Sequence, residues 1–275
     1  MKTAVLLKNY ATCLLVLAVT GPARLGGAEP PSEGSTNTAT PTATKWRMHD
    51  PNRPQPPVVT PGQTFSQSAP APSDAEVLFD GKDLSKWQSA GGQAAPWVVT
   101  NGYMECAARQ NIRTRGKWAD YQLHLEFATP TPPRGNDQSR GNSGVLINNM
   151  YEVQVLDCYE NKTYPDGGCA AIYGQSPPLV NASKPPGEWQ TYDIIFESPR
   201  WNEQKELVKK AEVTVLHNGV VVQNHFELLG ITDGISREVP NKYGVVHAPE
   251  VFIELQYHNS TVRYRNIWIR KLGGI

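Results

Sequence analysis

Glu152 and Gln154 stand two residues apart in the run Tyr151-Glu152-Val153-Gln154-Val155-Leu156-Asp157. Successive side chains of a strand point to opposite faces. Val153 and Val155 would then share one face, while an acid and an amide lie side by side on the other. A carboxylate so placed can take or return a proton while its neighbouring amide holds a hydroxyl or a carbonyl. Carboxylates are poor strand formers, so Glu152 invites a functional reason, although the solvated outer face of a sheet would also account for it. A second polar row follows near the C-terminus. Over residues 251–257 the apolar set is Ile253, Leu255 and Tyr257, which leaves Glu254, Gln256 and His258 on the opposite face. His124 and Glu126 occupy the polar face of residues 121–127, and Arg265 in the closing segment offers a cation. If these segments belong to one sheet, one surface gathers Glu152 and His258 as proton-transfer groups. Gln154, Glu254, Gln256, His124 and Arg265 then serve as binding groups around them. Asp157 joins the binding set as a candidate, but it has the parity of the valines, which suits a cap on the next turn equally well.

The elements that must position these groups read as β-strands. Residues 121–127 and 190–197 alternate cleanly, and 144–148 and 151–156 form a hairpin around Asn148 and Asn149. Residues 212–216 and 220–224 are joined across His217-Asn218-Gly219, and Asn-Gly is a strong hairpin signal. Residues 251–257 and 262–270 are expected to close the chain as a further hairpin. Helical periodicity is nearly absent; residues 201–210 suit one short helix or a polar loop. Many short strands with Gly/Pro-rich turns over roughly 200 residues predict one all-β sandwich of jelly-roll type, long enough to bury its own core.

Before this domain, which spans 75–275, come two other segments. Residues 1–28 have a basic start, a short apolar run and small residues, the pattern of a signal peptide with cleavage after Ala23 or Ala28. The chain is therefore expected to be exported, with no membrane span. Residues 29–74 are dense in Pro, Ser, Thr and Ala, a composition that buries too little apolar surface to order itself. The early part reads as a tether; the later part, with Trp46, Met48, Val58, Val59 and Phe65 among prolines, suits either disorder or an extended arm docked on the folded body. The formal charge is zero, with 26 basic and 26 acidic residues, which gives no footprint for nucleic acid. Loss of the signal removes Cys13 and leaves Cys106, Cys158 and Cys169. In an oxidising compartment Cys158 and Cys169, flanking one short loop, are expected to pair, with Cys106 a lone buried thiol. The cysteine spacing does not suit zinc.

Four motifs in order carry a resemblance. They are Leu78-Phe79-Asp80-Gly81-Lys82-Asp83-Leu84-Ser85-Lys86-Trp87, then Gly141-Asn142-Ser143-Gly144 running into Tyr151–Asp157, then Pro186-Gly187-Glu188-Trp189-Gln190-Thr191-Tyr192, and finally Tyr264-Arg265-Asn266-Ile267-Trp268-Ile269. Together they resemble the 3-keto-disaccharide hydrolase family, formerly domain of unknown function 1080, over about residues 75–272. The resemblance implies a concanavalin-like jelly-roll β-sandwich of two antiparallel sheets with a sugar-accommodating face. It also implies lyase or hydratase action on 3-keto-glucosides, without an organic cofactor and with a divalent metal left open. Relatives commonly carry small residues where this chain has Cys158 and Cys169, which favours a bridge particular to this member. A ketone at C3 acidifies the hydrogen on C2, so such an enzyme needs a base there and a donor or cation facing the enolate oxygen. Glu152 is the first candidate for the base. Two rival readings stay open: a non-catalytic glycan-binding module on the same fold, and a conventional glycosidase pairing Glu152 with Glu254. Tyr164 and Tyr173, in the long loop 158–186, are expected at the substrate rim, and Asp166-Gly167-Gly168 is expected to be a plain turn.

Overall fold

Short β-prone runs set off by Asn, Gly and Pro leave the chain little alternative to strands, and a computed structural model gives fifteen of them among the described residues. The structure describes residues 46–63, 66–232, 243, 246 and 248–273. The signal segment 1–28, the tether that follows it and Phe65 of the later arm lie outside the described residues. In chain order the strands are β1 (Glu76–Phe79), β2 (Trp87–Ser89), β3 (Val98–Thr100), β4 (Tyr103–Glu105), β5 (Ile112–Thr114), β6 (Tyr121–Ala128), β7 (Ser143–Ile147) and β8 (Tyr151–Val155). They continue with β9 (Gln190–Glu197), β10 (Arg200–Trp201), β11 (Leu207–Lys209), β12 (Glu212–His217), β13 (Val220–Glu227), β14 (Glu254–Leu255) and β15 (Arg263–Lys271). Among the described residues no helix is long and apolar enough to cross a membrane.

The strands form a jelly-roll sandwich of two antiparallel sheets. One has the order β13-β12-β9-β6-β15-β4-β3, with β1 added against β15; the other has the order β2-β5-β14-β7-β8. Each sheet turns one parity of residue inward. Leu123, Leu125, Phe127, Tyr192, Ile194 and Phe196 from the first sheet meet Ile112, Val145, Ile147, Val153, Val155 and Leu255 from the second in one core. The alternation read from the sequence is therefore the alternation of burial. Asn148 and Asn149 both take positive φ (49° and 56°), as do Asn218 and Gly219 (51° and 80°), so both tight hairpins turn as their residue types require.

One expectation holds in part and one fails. Residues 201–210 are not a helix; residues 202–206 turn between β10 and β11, which pair as a two-stranded ladder. Residues 251–257 and 262–270 do not form a hairpin. β14 lies between β5 and β7 in the five-stranded sheet, whereas β15 lies between β6 and β4 in the other. The connection crosses the sandwich because the apolar residues on both sides of it, Leu255 and Tyr264, enter the core from opposite sheets.

The later part of the proline-rich segment makes specific contacts. Asn181 N–H donates to Pro57 O and Val59 N–H donates to Asn181 O, each at 2.9 Å, a parallel bridge of Val58 with Asn181. Farther along, Ser66 Oγ donates to Asp193 Oδ2 (2.5 Å), Ser68 N–H donates to Glu126 Oε1 (2.5 Å), and Asn266 Nδ2 donates to Ala69 O (2.9 Å). Proline cannot donate to a ladder, so the arm is held at isolated backbone and side-chain points rather than along a strand.

Candidate functional site

The outer face of the five-stranded sheet gathers several polar side chains. Directly paired residues of an antiparallel ladder project to the same side. Glu152 pairs with Leu146, Leu146 with Glu254, Glu254 with Arg113, and Arg113 with Gln88, which makes one row across all five strands. A second row begins with Gln154 opposite Gly144, and Gln256 N–H donates to Gly144 O at 2.9 Å. Thus Glu152, Gln154, Glu254 and Gln256 do share a face, with Arg113 beside Glu254.

Gly144 is what lets this face be built. A Cβ at that position would lie 2.5 Å from Glu152 Oε1, so the carboxylate of β8 lies across the space left by a glycine of β7. Glu152 is 7 % exposed, and among the described residues its carboxylate has no hydrogen-bond partner. Burial alone pushes the Glu152 carboxyl up to about 7. Glu254 is also raised by burial, but Asn111 Nδ2 donates to its Oε1 at 2.6 Å and Arg113 adds attraction, both of which work against the rise. Two carboxyls in similar positions thus differ in environment: Glu254 is held in a local network, and Glu152 has no such partner among the described residues.

Around Glu152 lie amide oxygens that lack donors. Gln154 Oε1, Gln256 Oε1 and Asn142 Oδ1 are buried with no partner among the described residues, and so is the donor Arg113 Nε. The amide nitrogen of Gln154 donates to Gln138 Oε1 (3.1 Å), and that of Asn142 donates to Gln138 O (2.7 Å), which fixes which end of each side chain is free. Leaving a buried acceptor unpaired costs about 1–3 kcal/mol. Three such acceptors on one face suit a ligand rich in hydroxyl donors.

The long loop supplies a wall. Ile172 bridges Val153, Gln154 N–H donates to Ala171 O (3.0 Å), and Tyr173 N–H donates to Glu152 O (3.1 Å), so residues 170–173 extend the sheet beyond β8. Ile172 enters the core, and by alternation Tyr173 turns to the side of Glu152. Its phenol is hydrogen-bonded to that of Tyr164. Asp166 lies in a turn, a single 3-10 turn over Pro165–Gly167, but it is also fully buried, and both of its carboxylate oxygens are engaged by His49 of the arm.

Other expected site residues lie elsewhere. His124 and Arg265 belong to β6 and β15 of the eight-stranded sheet, on the face away from the core, and do not join Glu152. His124 Nδ1 lies 2.7 Å from Asp193 Oδ1, and Arg265 Nε donates to Glu126 Oε2 at 2.8 Å, in the network that also receives Ser66 and Ser68. Alternation gives the face of a strand but not its sheet, so the pattern of residues alone does not separate them from Glu152. His258 follows β14 on an exposed stretch of chain. Asp157 is a buried cap and ion-pair partner: it accepts from Tyr159 N–H (3.1 Å) and from Arg140 Nε (2.7 Å). Cys158 and Cys169 are not bridged; both are free and buried. Cys169 N–H donates to Cys158 Sγ at 3.1 Å, while Cys169 Sγ is 3.0 Å from the Tyr192 hydroxyl, so each sulfur has its own partner. Trp87, Trp97, Trp118 and Trp268 are buried; Trp189 is half-exposed, with the Arg265 guanidinium 4.1 Å over its ring on the eight-stranded sheet. Among the described residues no group of three or more His, Cys, Asp and Glu side chains gathers as metal ligands.

A sandwich whose outer face presents a buried acid among unmet amides is the setting in which the sequence motifs lie. The 3-keto-alpha-glucoside-1,2-lyase-like domain matches residues 74–270. The chain belongs to this family. Among solved structures, this 3-keto-alpha-glucoside-1,2-lyase-like chain is 47% identical to a candidate glycosyl hydrolase from Parabacteroides distasonis, with a TM-score of 0.71 over 80% of this chain and 93% of that one. A second candidate glycosyl hydrolase from that organism is 26% identical, with a TM-score of 0.51 over 72% and 99% of the two chains. A third, 17% identical with a TM-score of 0.53 over 78% and 100%, shares the fold. Among curated proteins none matches. Membership of the 3-keto-alpha-glucoside-1,2-lyase-like family supports a carbohydrate-related function for the chain.

Proposed function

We propose that the chain is an enzyme that cleaves or hydrates 3-keto-glucosides, with Glu152 as the base at C2. The observation that carries this reading is the Glu152 carboxyl itself: buried, unpaired among the described residues, raised to about 7, and bordered by unmet amide acceptors. A base with a pKa near the working pH combines a large ionised fraction with enough basicity to remove an acidified C–H. In this reading Gln154, Gln256 and Asn142 accept the hydroxyls of the sugar and orient C2 toward Glu152. Arg113, rather than Arg265 on the other sheet, faces the enolate oxygen. Three strand spacings separate it from Glu152, about 14 Å between backbones, which leaves room for one sugar ring between the two side chains. Proton removal gives an enolate that expels the C1 substituent, and water adds to the resulting glucal. The N-terminal segment 1–28 would send the enzyme out of the cytoplasm.

The test is turnover of a purified 3-keto-glucoside, assayed with added divalent ions and with a chelator. Release of the C1 substituent in either condition, abolished by Glu152→Gln, is expected. Unaltered substrate in both conditions, with tight binding of ordinary oligosaccharides, would instead establish a glycan-binding module.

A further inference from the structure

The loop that walls the Glu152 site is held by a part of the chain that lies far away in sequence. His49 of the arm donates its backbone N–H to Asp166 Oδ2 at 2.8 Å, and its Nδ1 lies 3.3 Å from Asp166 Oδ1. Arg53 adds a cation 4.0 Å from the same carboxylate. The His49 ring lies 3.9 Å from that of Tyr164 and 5.2 Å from that of Tyr173, between centroids. Two glycines make this packing feasible. Gly174 has φ of +71°, and a Cβ there would stand 3.0 Å from the Met48 methyl; a Cβ on Gly167 would strike the ring of Tyr164. Met48 therefore packs over Gly174 and the His49 ring lies against both phenols, while Tyr173 adjoins Glu152 through the backbone hydrogen bond already described.

We infer that Tyr173 is the proton donor to the leaving group and that the arm, through His49 and Asp166, is a positioning device for the Tyr164–Tyr173 pair. This rests on the reading of Glu152 as base. The atoms balance. The C2–H bond breaks and its proton goes to Glu152. The C1–O bond breaks as the C1–C2 double bond forms, and the departing oxygen takes the phenolic proton of Tyr173. Tyr164 donates its hydrogen bond to the phenolate so formed, and solvent returns the proton from Glu152 to Tyr173. The electrostatics agree with that direction: the Tyr164 hydrogen bond favours ionisation of Tyr173, whereas burial and the Glu152 charge oppose it and keep the phenol protonated until a strong base departs beside it.

The experiment compares leaving groups in the full chain. A 3-keto-disaccharide, whose departing alkoxide needs a proton, is set against a 4-nitrophenyl 3-keto-glucoside, whose leaving group does not. Tyr173→Phe is expected to lower kcat on the disaccharide about 10²-fold, with KM little changed, and to lose at least tenfold less on the nitrophenyl substrate. His49→Ala should show the same pattern more weakly, and His49→Asn, which keeps a side-chain donor for Asp166, should recover part of it. Melting curves show whether each variant is folded. Equal losses on both substrates, or no loss, with Glu152→Gln inactive, would overturn the acid and arm assignments and leave the base assignment standing. Full activity of Glu152→Gln would overturn both.

Discussion

Gly144 and Glu152 occupy one space between them: a Cβ at residue 144 would stand 2.5 Å from Glu152 Oε1 and 3.1 Å from Cδ. The contact is with the far end of a flexible side chain, not with backbone. Gly144→Ala should therefore fold, with stability within about 1 kcal/mol of the parent, and should lose turnover because the carboxylate is pushed off its position. A misplacement of about 1 Å can cost roughly 10²-fold. Matching melting temperatures with kcat reduced at least tenfold is the expected pair of results; unchanged kcat would show that the position of Glu152 is not critical.

Glu152 should also mark the pH dependence of stability. Its folded pKa, about 7, lies above the ordinary 4.5, so the folded state holds this proton more tightly than the unfolded chain does. The associated stability is present in full below about pH 4.5 and is lost as pH rises through 7. The largest loss is about 3 kcal/mol, from 1.36 kcal/mol per pH unit. Glu152→Gln abolishes this term. Denaturant titrations should find the variant gaining on the parent between pH 5 and 8 by up to that amount, while kcat/KM of the parent rises over the same range as the base ionises.

The unmet acceptor on Gln256 separates binding from folding. Its oxygen has no partner among the described residues, so Gln256→Met is expected to keep or raise the melting temperature. Loss of an acceptor for a sugar hydroxyl should weaken substrate binding by about 1–2 kcal/mol, read as a 5- to 30-fold rise in Kd for a slowly reacting 3-keto-glucoside. A destabilised variant with unchanged affinity would place the amide in the structural framework instead.

Cys158 and Cys169 are separate thiols. Alkylation of the denatured protein without reductant should label Cys106, Cys158 and Cys169, and a reductant should leave the melting temperature unchanged. A mass corresponding to a 158–169 bridge would contradict the structure.

On the eight-stranded sheet, burial disfavours the charged His124 ring, but hydrogen bonds and attraction from Asp193 and Glu126 outweigh it and raise its pKa above 6.5. Its contribution is present in full below about pH 6.5 and is lost as pH rises through the higher folded value. The ring and Ser66 share Asp193. Asp193→Ala should therefore lower the melting temperature and speed proteolytic cutting near residue 66, and the same cutting should be faster at pH 9 than at pH 6 in the parent chain.

The two polar rows and the core strands follow from local chemistry. Alternation is a property of each strand by itself, so the inward Val153 and Val155 and the outward Glu152 and Gln154 were legible in the sequence, as were the turns at Asn148-Asn149 and Asn218-Gly219. Strand partnership is not local. Nothing in residues 251–270 says that β14 pairs with β7 while β15 pairs with β6, yet that choice brought Glu254 into the row of Glu152 and Gln256 into that of Gln154, and it sent Arg265 and His124 to the other sheet. Cys158 and Cys169 are close in sequence, but their sulfurs are placed by Tyr192 and by backbone geometry, which only the packed structure decides. The contact of His49 with Asp166 spans 117 residues and joins a proline-rich segment with no strand periodicity to a loop that reads as a turn. Composition could mark that arm as unable to fold alone; only the tertiary structure could supply the surface on which it settles.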